Sequence, residues 1–213
     1  MATNTNLEQY KEKDSIEVGL DEAGRGCLLG PVCVAGVIWL PEDPDSKIVI
    51  KDSKKYSEKK RIQCYDYINK HCIDYSIQLL SNDVIDTENI LQASIQGMHK
   101  CLDDISTRQS FDTILVDGNH FETYYSSQKD EFIPHYCIIK GDNTYKSIAA
   151  ASVLAKTHRD QYIIQLVNDN PELEKYDIRN NKGYGTKKHM EAIKKYGITQ
   201  WHRKTFSPCS NYV

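Results

Sequence analysis

The chain has 213 residues, 39% hydrophobic and 27% charged, with a formal net charge of −3 at pH 7. That balance fits a soluble globular domain with a sizeable core and excludes a disordered chain; no apolar run approaches the ~18 residues of a membrane span. The polar stretch Met1–Asp14 has no apolar segment of the kind a secretory signal needs, and is expected to be a short flexible arm over residues 1–15. Seven cysteines without a C-x-x-C pair argue against a disulfide framework or structural zinc, and for a reducing compartment such as the cytoplasm.

Two apolar runs, 16–22 and 32–40, predict the first strands, joined by a loop that holds Gly24, Arg25, Gly26 and Gly30. The loop carries more glycine than a hairpin turn requires, beside the adjacent acids Asp21 and Glu22. Pro41, Pro44 and Asp45 end the second strand, and Asp52-Ser53-Lys54-Lys55-Tyr56 reads as a polar loop. Ser57 is placed to cap a helix reaching about Asn69. Alternation over 73–80 predicts a third strand. Leu91, Ile95, Met98, Leu102 and Ile105 keep the spacing of one buried face and predict a helix over 87–106.

Short strands are expected at 114–116, ending in Asp117-Gly118, and at 136–140, ending in Gly141-Asp142. A small-residue helix over 145–167 can pack closely on a sheet, and 171–213, with a helix near 187–196, reads as a C-terminal helical lobe on a core of 16–170. The order implies an α/β fold: a mixed five-stranded sheet, part antiparallel and part parallel, flanked by helices.

Charge is unevenly spread. Arg179, Lys182, Lys187, Lys188, Lys194, Lys195, Arg203 and Lys204 face Glu191 alone, and a second basic run lies between Lys51 and Arg61. Such runs are candidate phosphate-backbone contacts. Three predicted strands end in acid, at Asp21-Glu22, Asp117 and Asp142, each with a glycine nearby. Ligands collect at strand ends in α/β sheets. Carboxylates crowded there need a counter-charge, which hard divalent cations supply. Two such ions about 3.5–4 Å apart would activate a water and steady the leaving oxygen in phosphodiester displacement. Consecutive strand residues point to opposite faces, so either the strand breaks at Glu22 or Glu22 reaches a metal through its backbone or a water.

The motifs Asp21-Glu22-Ala-Gly-Arg25-Gly, Gly30-Pro31-Val32, Asp52-Ser53-Lys54-Lys55, Val116-Asp117-Gly118, Lys140-Gly141-Asp142, Ser147 to Lys156, Arg159-Asp160, Gly183-Tyr184-Gly-Thr186, His189 and His202-Arg203-Lys204-Thr205-Phe206 occur in that order. Together they resemble the signature of the type 2 ribonucleases H (ribonuclease HII), over about residues 16–207. The resemblance implies the ribonuclease H fold and endonucleolytic cleavage beside ribonucleotides in duplex DNA and within RNA–DNA hybrids. It also implies an acidic quartet, Asp21, Glu22, Asp117 and Asp142, binding two Mg²⁺ or Mn²⁺ ions. Cys27, Leu28, Gly36 and Trp39 depart from the family pattern without touching a motif acid.

Cleavage at a single ribonucleotide requires sensing a 2′-hydroxyl. The bare backbone of Gly24-Arg25-Gly26 suits that task, with Arg25 on an adjacent phosphate. The resemblance implies that Tyr184 packs on the sugar after the ribonucleotide, favouring type 2 over type 3 activity. Lys54, Lys55 and Lys156 are further expected phosphate contacts. Arg159 and Asp160 are read as a structural ion pair, His189 and His202 as capping or phosphate-contact residues, and Asn119–Pro134 is given no role. A monomer without a clamp-binding peptide in Ser207–Val213 is expected. The alternatives are another nuclease of this fold, resolvase or integrase in type, and a non-catalytic hybrid-binding module.

Overall fold

The computed structural model describes residues 7–39, 50, 53 and 56–213. Lys54 and Lys55 lie outside the described residues, as do Asp52, residues 1–6 and the expected strand end at Pro41, Pro44 and Asp45. The chain runs β1 (Glu17–Ala23), β2 (Val32–Ile38), α1 (Glu58–His71), β3 (Asp74–Leu80), α2 (Asn82–Glu88), α3 (Ile90–Ser106), β4 (Thr113–Asp117), β5 (Tyr124–Ser126), β6 (Glu131–Ile133), β7 (His135–Ile138), α4 (Lys146–Asp169), α5 (Ile178–Asn181) and α6 (Lys187–Tyr196). Five strands form one mixed sheet in the order β3-β2-β1-β4-β7. The pairs β3-β2 and β2-β1 are antiparallel; β1-β4 and β4-β7 are parallel.

Period-two alternation assigns the two faces. Val18, Leu20, Val34, Ile38, Ile114 and Val116 point to α3, where Met98, Cys101, Leu102 and Ile105 cover them. Ala23, Cys33, Ala35 and Val37 point the other way, onto α4 and α1. The alanine-rich run of α4 lets that helix lie very close to the sheet. At Gly19 a Cβ would stand 2.4 Å from the backbone of Ser147 and Ile148, so this strand position admits only hydrogen. Asp21 lies two residues on, on the same face of β1, and therefore under α4.

Two expectations are corrected, and one stretch left without a role gains a structure. The helix expected at 87–106 is two helices, because Asn89 sits at φ 68° and its Oδ1 accepts from the N–H groups of Leu91 and Gln92, stopping α2 and capping α3. The strand expected to reach Lys140 ends at Ile138; Lys140 is left-handed and Asp142 lies in a one-turn 3₁₀ helix, Gly141–Asn143. Asn119–Pro134 carries the β5-β6 hairpin, tied to α3 by Tyr124 Oη donating to Asp103 at 2.9 Å.

The described part of the N-terminal arm is docked. Glu8 bridges the Thr144 carbonyl and the Lys146 N–H, and the Glu17 carboxylate accepts from the N–H groups of Lys11 and Glu12. The C-terminal segments share one apolar cluster with the glycine loop: Leu28 and Leu29 pack with Ile163, Leu173, Tyr176 and Ile193.

Gly19→Ala is expected to destabilise the fold by about 3 kcal/mol, because helix backbone cannot yield as a side chain can. Urea unfolding followed by circular dichroism measures this, and a wild-type midpoint would contradict the close packing of α4 on β1.

Candidate active site

The C-terminal ends of β1 and β4 and the 3₁₀ turn after β7 bring Asp21, Asp117 and Asp142 together. One carboxylate oxygen from each lies within 4.8 Å of the other two. Asp117 is oriented by the Gly141 N–H, 2.7 Å from its Oδ1, so the turn carrying Asp142 is fastened to the end of β4. Asp21 is 6% exposed. Burial, then the charges of Glu22 and Asp117, push its carboxyl well above the usual carboxylate range, while Ser152 and the Glu22 N–H bond to it and oppose the shift. Ser152 Oγ is also 3.0 Å from Ser53 Oγ.

Glu22 is not among the three acids whose oxygens converge. β1 continues through Ala23 rather than breaking at Glu22, and the side chain turns to Arg25, whose Nη1 donates to Oε1 at 3.2 Å. Both line the same cleft, of about 270 Å³, with Asp21, Asp117, Lys156 and Tyr184. Oxygen-only ligands, two of them buried and one held against ionisation by its neighbours, suit a hard divalent cation, so the residues present fit the implied metal.

The glycine loop beside the acids is shaped by two residues outside the expected site. Arg159 and Arg203 are 0% exposed. Arg159 donates to the carbonyls of Pro31 (2.9 Å), Leu29 (3.0 Å) and Lys182 (2.8 Å). Arg203 donates to those of Gly30 (3.0 Å), Arg25 (2.7 Å) and Gly24 (2.7 Å). The expected Arg159–Asp160 ion pair is therefore corrected: Asp160 accepts from Lys156 Nζ at 2.7 Å and Arg61 Nη2 at 3.0 Å instead. Gly24, at φ 93°, lies so close to Arg159 that a Cβ would meet its Nε at 2.0 Å. Gly26 has open space where a Cβ would project.

Tyr184 stands at the rim of the cleft, 38% exposed. Lys156 Nζ lies 5.3 Å from its ring centre. Burial, with Cys27 beside it, pushes its hydroxyl up to about 12, which keeps the proton on at neutral pH. His189 and His202 are not surface phosphate contacts: both are fully buried, with their Nε2 atoms 3.1 Å apart. Four exposed lysines of the C-terminal lobe, Lys187, Lys188, Lys194 and Lys195, lie on α6, and Lys175 and Lys204 are exposed on either side of it. None of the seven cysteines is disulfide-bonded. No helix among the described residues is long and apolar enough to cross a membrane.

A sequence profile described as Ribonuclease HII matches residues 18–209. The ribonuclease HII of Bacteroides thetaiotaomicron is 46% identical over 198 residues, spanning 93% of this chain and 92% of that protein. Among solved structures, the ribonuclease H2 of Pyrococcus horikoshii superposes with a TM-score of 0.70 at 21% identity, covering 92% of this chain and 96% of its own. The ribonuclease HII solved in complex with PCNA from Archaeoglobus fulgidus gives 0.68 at 26% identity, covering 90% and 95%.

Two predictions follow from the geometry. In chelator at pH 7, Asp21→Asn is expected to melt at a higher temperature than wild type, because it removes a charge that burial and two acids disfavour; an unchanged or lower midpoint counts against that electrostatic reading. Arg203→Lys keeps a charge but cannot reach three diverging carbonyls. Each buried carbonyl left unbonded costs about 1–3 kcal/mol, so denaturant titration should find the variant several kcal/mol less stable.

Proposed function

The chain belongs to the ribonuclease HII family, an endonuclease family acting on RNA in RNA–DNA hybrids and on ribonucleotides in DNA, and we propose that its cleft hydrolyses the phosphodiester bond on the 5′ side of the ribonucleotide, leaving 3′-hydroxyl and 5′-phosphate ends. The observation that carries this reading is the convergence of Asp21, Asp117 and Asp142 beside a glycine loop whose Gly24, Arg25, Leu29 and Gly30 carbonyls are turned onto buried arginines. Divalent cations, Mg²⁺ or Mn²⁺ and two with substrate, supply an activated water and neutralise charge on the scissile phosphate when bound. Asp21, Asp117 and Asp142 hold them. Arg25, with a side chain 48% exposed, exchanges Glu22 for a phosphate as the duplex enters, and Glu22 then serves as the fourth acidic ligand.

The remaining residues select and hold the substrate. With the Gly24 and Arg25 carbonyls engaged by Arg203, the Gly24-Arg25-Gly26 backbone meets the minor groove and the 2′-hydroxyl of the ribonucleotide. Tyr184 packs on the sugar that follows. Lys156, steadied by Asp160, contacts a phosphate at the cleft. The lysines of α6 supply sequence-independent affinity for the duplex backbone. Acids massed against phosphate favour catalysis over a non-catalytic hybrid binder, which gains nothing from them. A clamp partner is not part of this reading; the PCNA complex is a property of the Archaeoglobus protein.

Asp21→Asn should reduce cleavage of a duplex bearing one ribonucleotide by at least about 10³-fold with Mg²⁺ or Mn²⁺, with the far-ultraviolet circular dichroism unchanged. Wild-type turnover would remove Asp21 from the metal set. Tyr184→Ala should lower kcat/KM on the single-ribonucleotide duplex more than on a continuous hybrid; equal losses would make Tyr184 a packing residue only.

A further inference from the structure

Between α6 and the segment that follows it lies a chain of hydrogen bonds that the cleavage reaction does not itself use. The Thr199 N–H donates to His202 Nδ1 at 2.9 Å, with Thr199 Oγ1 2.8 Å from the same atom. His202 Nε2 meets His189 Nε2 at 3.1 Å, and His189 Nδ1 meets the Tyr184 carbonyl at 2.9 Å.

The two ends fix the protons. A backbone N–H can only donate, so His202 Nδ1 accepts and its ring proton sits on Nε2. His189 Nε2 then accepts, and its own proton sits on Nδ1, facing a carbonyl that can only accept. All four ring nitrogens are satisfied although both imidazoles are fully buried. The chain is directional: it starts at Thr199 and ends on the backbone of Tyr184. The segment it starts from also holds the glycine loop, through Gly30 N–H to the Trp201 carbonyl (2.9 Å), Arg203 N–H to the Leu28 carbonyl (2.9 Å) and the Arg203 guanidinium.

We propose that His189 and His202 form a neutral imidazole relay that positions Tyr184 over the cleft, making both of them positioning residues for recognition of an embedded ribonucleotide. A pair of apolar side chains would fill the same space without four buried nitrogens to satisfy; the relay adds orientation. It couples the tyrosine to the segment that sets the glycine loop, so the two substrate-reading elements share one support. The inference rests on the proposed contact between Tyr184 and the substrate sugar.

The test compares His189→Leu, which removes the side-chain donor to the Tyr184 carbonyl and leaves the Thr186 N–H (2.8 Å), with His189→Asn, whose amide N–H can replace Nδ1–H. The readout is the ratio of kcat/KM on a single-ribonucleotide duplex to that on a continuous RNA–DNA hybrid, with Mn²⁺ binding measured by calorimetry. His189→Leu is expected to lower the ratio by about tenfold, the rate equivalent of one buried hydrogen bond, with Mn²⁺ affinity unchanged. His189→Asn should recover most of it, and His189→Leu combined with Tyr184→Ala should be no worse than Tyr184→Ala alone. An unchanged ratio in His189→Leu beside a lowered ratio in Tyr184→Ala overturns the relay while leaving the tyrosine's role intact. An unchanged ratio in Tyr184→Ala overturns the tyrosine's role, and the relay's with it. Should His189→Leu fail to fold, ¹⁵N imidazole spectra of the wild-type protein decide: protons on His202 Nε2 and His189 Nδ1 support the relay, and any other tautomer or a charged ring overturns it.

Discussion

Two guanidiniums without a hydrogen-bonded carboxylate lie wholly inside this protein, and the shape of the glycine loop depends on them. Burying a charge is costly unless its donors are satisfied. Arg159 and Arg203 meet that condition with backbone carbonyls alone, five of them from residues 24–31 and one from Lys182. The loop is thereby turned inside out relative to an ordinary hairpin tip. Its acceptors face the protein, leaving Gly26 bordered by open space and the Arg25 side chain half exposed. Gly24 is required because Arg159 occupies the volume a side chain would need.

The acids and the arginines are the two halves of one electrostatic arrangement. Asp21, Asp117 and Asp142 concentrate negative charge at the sheet's end, and Asp21 in particular is held where ionisation is disfavoured. A few ångströms along the same strand the loop rests on buried positive charge. Under the proposed function, a cation held by the first and a phosphate beside the second would share the same cleft. This resolves the mismatch between a net charge of −3 and a polyanionic substrate: excess acid is gathered at the metal site, while the exposed lysines of α6 face outward. Function here has been placed ahead of stability at Asp21, whose buried charge burdens the metal-free fold.

Much of this was legible in the residues. Alternation in β1 and β2, the buried face of α3 and the bareness of α4 fixed the sheet and its two covering layers, because each is a period or composition effect within one segment. The three convergent acids were legible for a related reason: each lies within three residues of a glycine, close to the end of an apolar run. What could not be read involves partners distant in sequence or backbone states that many residues share. Asn89 splits a helical pattern whose apolar spacing continues unbroken on both sides. The strands β5 and β6, three residues each, are too short for alternation to register. Arg159 reads as half of an Arg-Asp pair because an adjacent carboxylate is visible in sequence and a carbonyl 128 residues away is not.

Glu22 shows the limit most clearly. Strand geometry correctly separates it from Asp21, and the two ways offered for it to reach a metal both assume that it must do so in the resting protein. The strand does not break there: it runs on to Ala23, and Glu22 is engaged by Arg25 from its own loop. The two charges neutralise each other at the mouth of the cleft, where an unpaired carboxylate would repel phosphate and an unpaired guanidinium would be left to solvent. An exposed ion pair of this kind is worth little, about 0–1 kcal/mol, so a phosphate can separate it at small expense. The motif acid that does not join the cluster is thus held by the motif arginine expected to meet the substrate, and the weakness of their bond is what makes that pairing reversible.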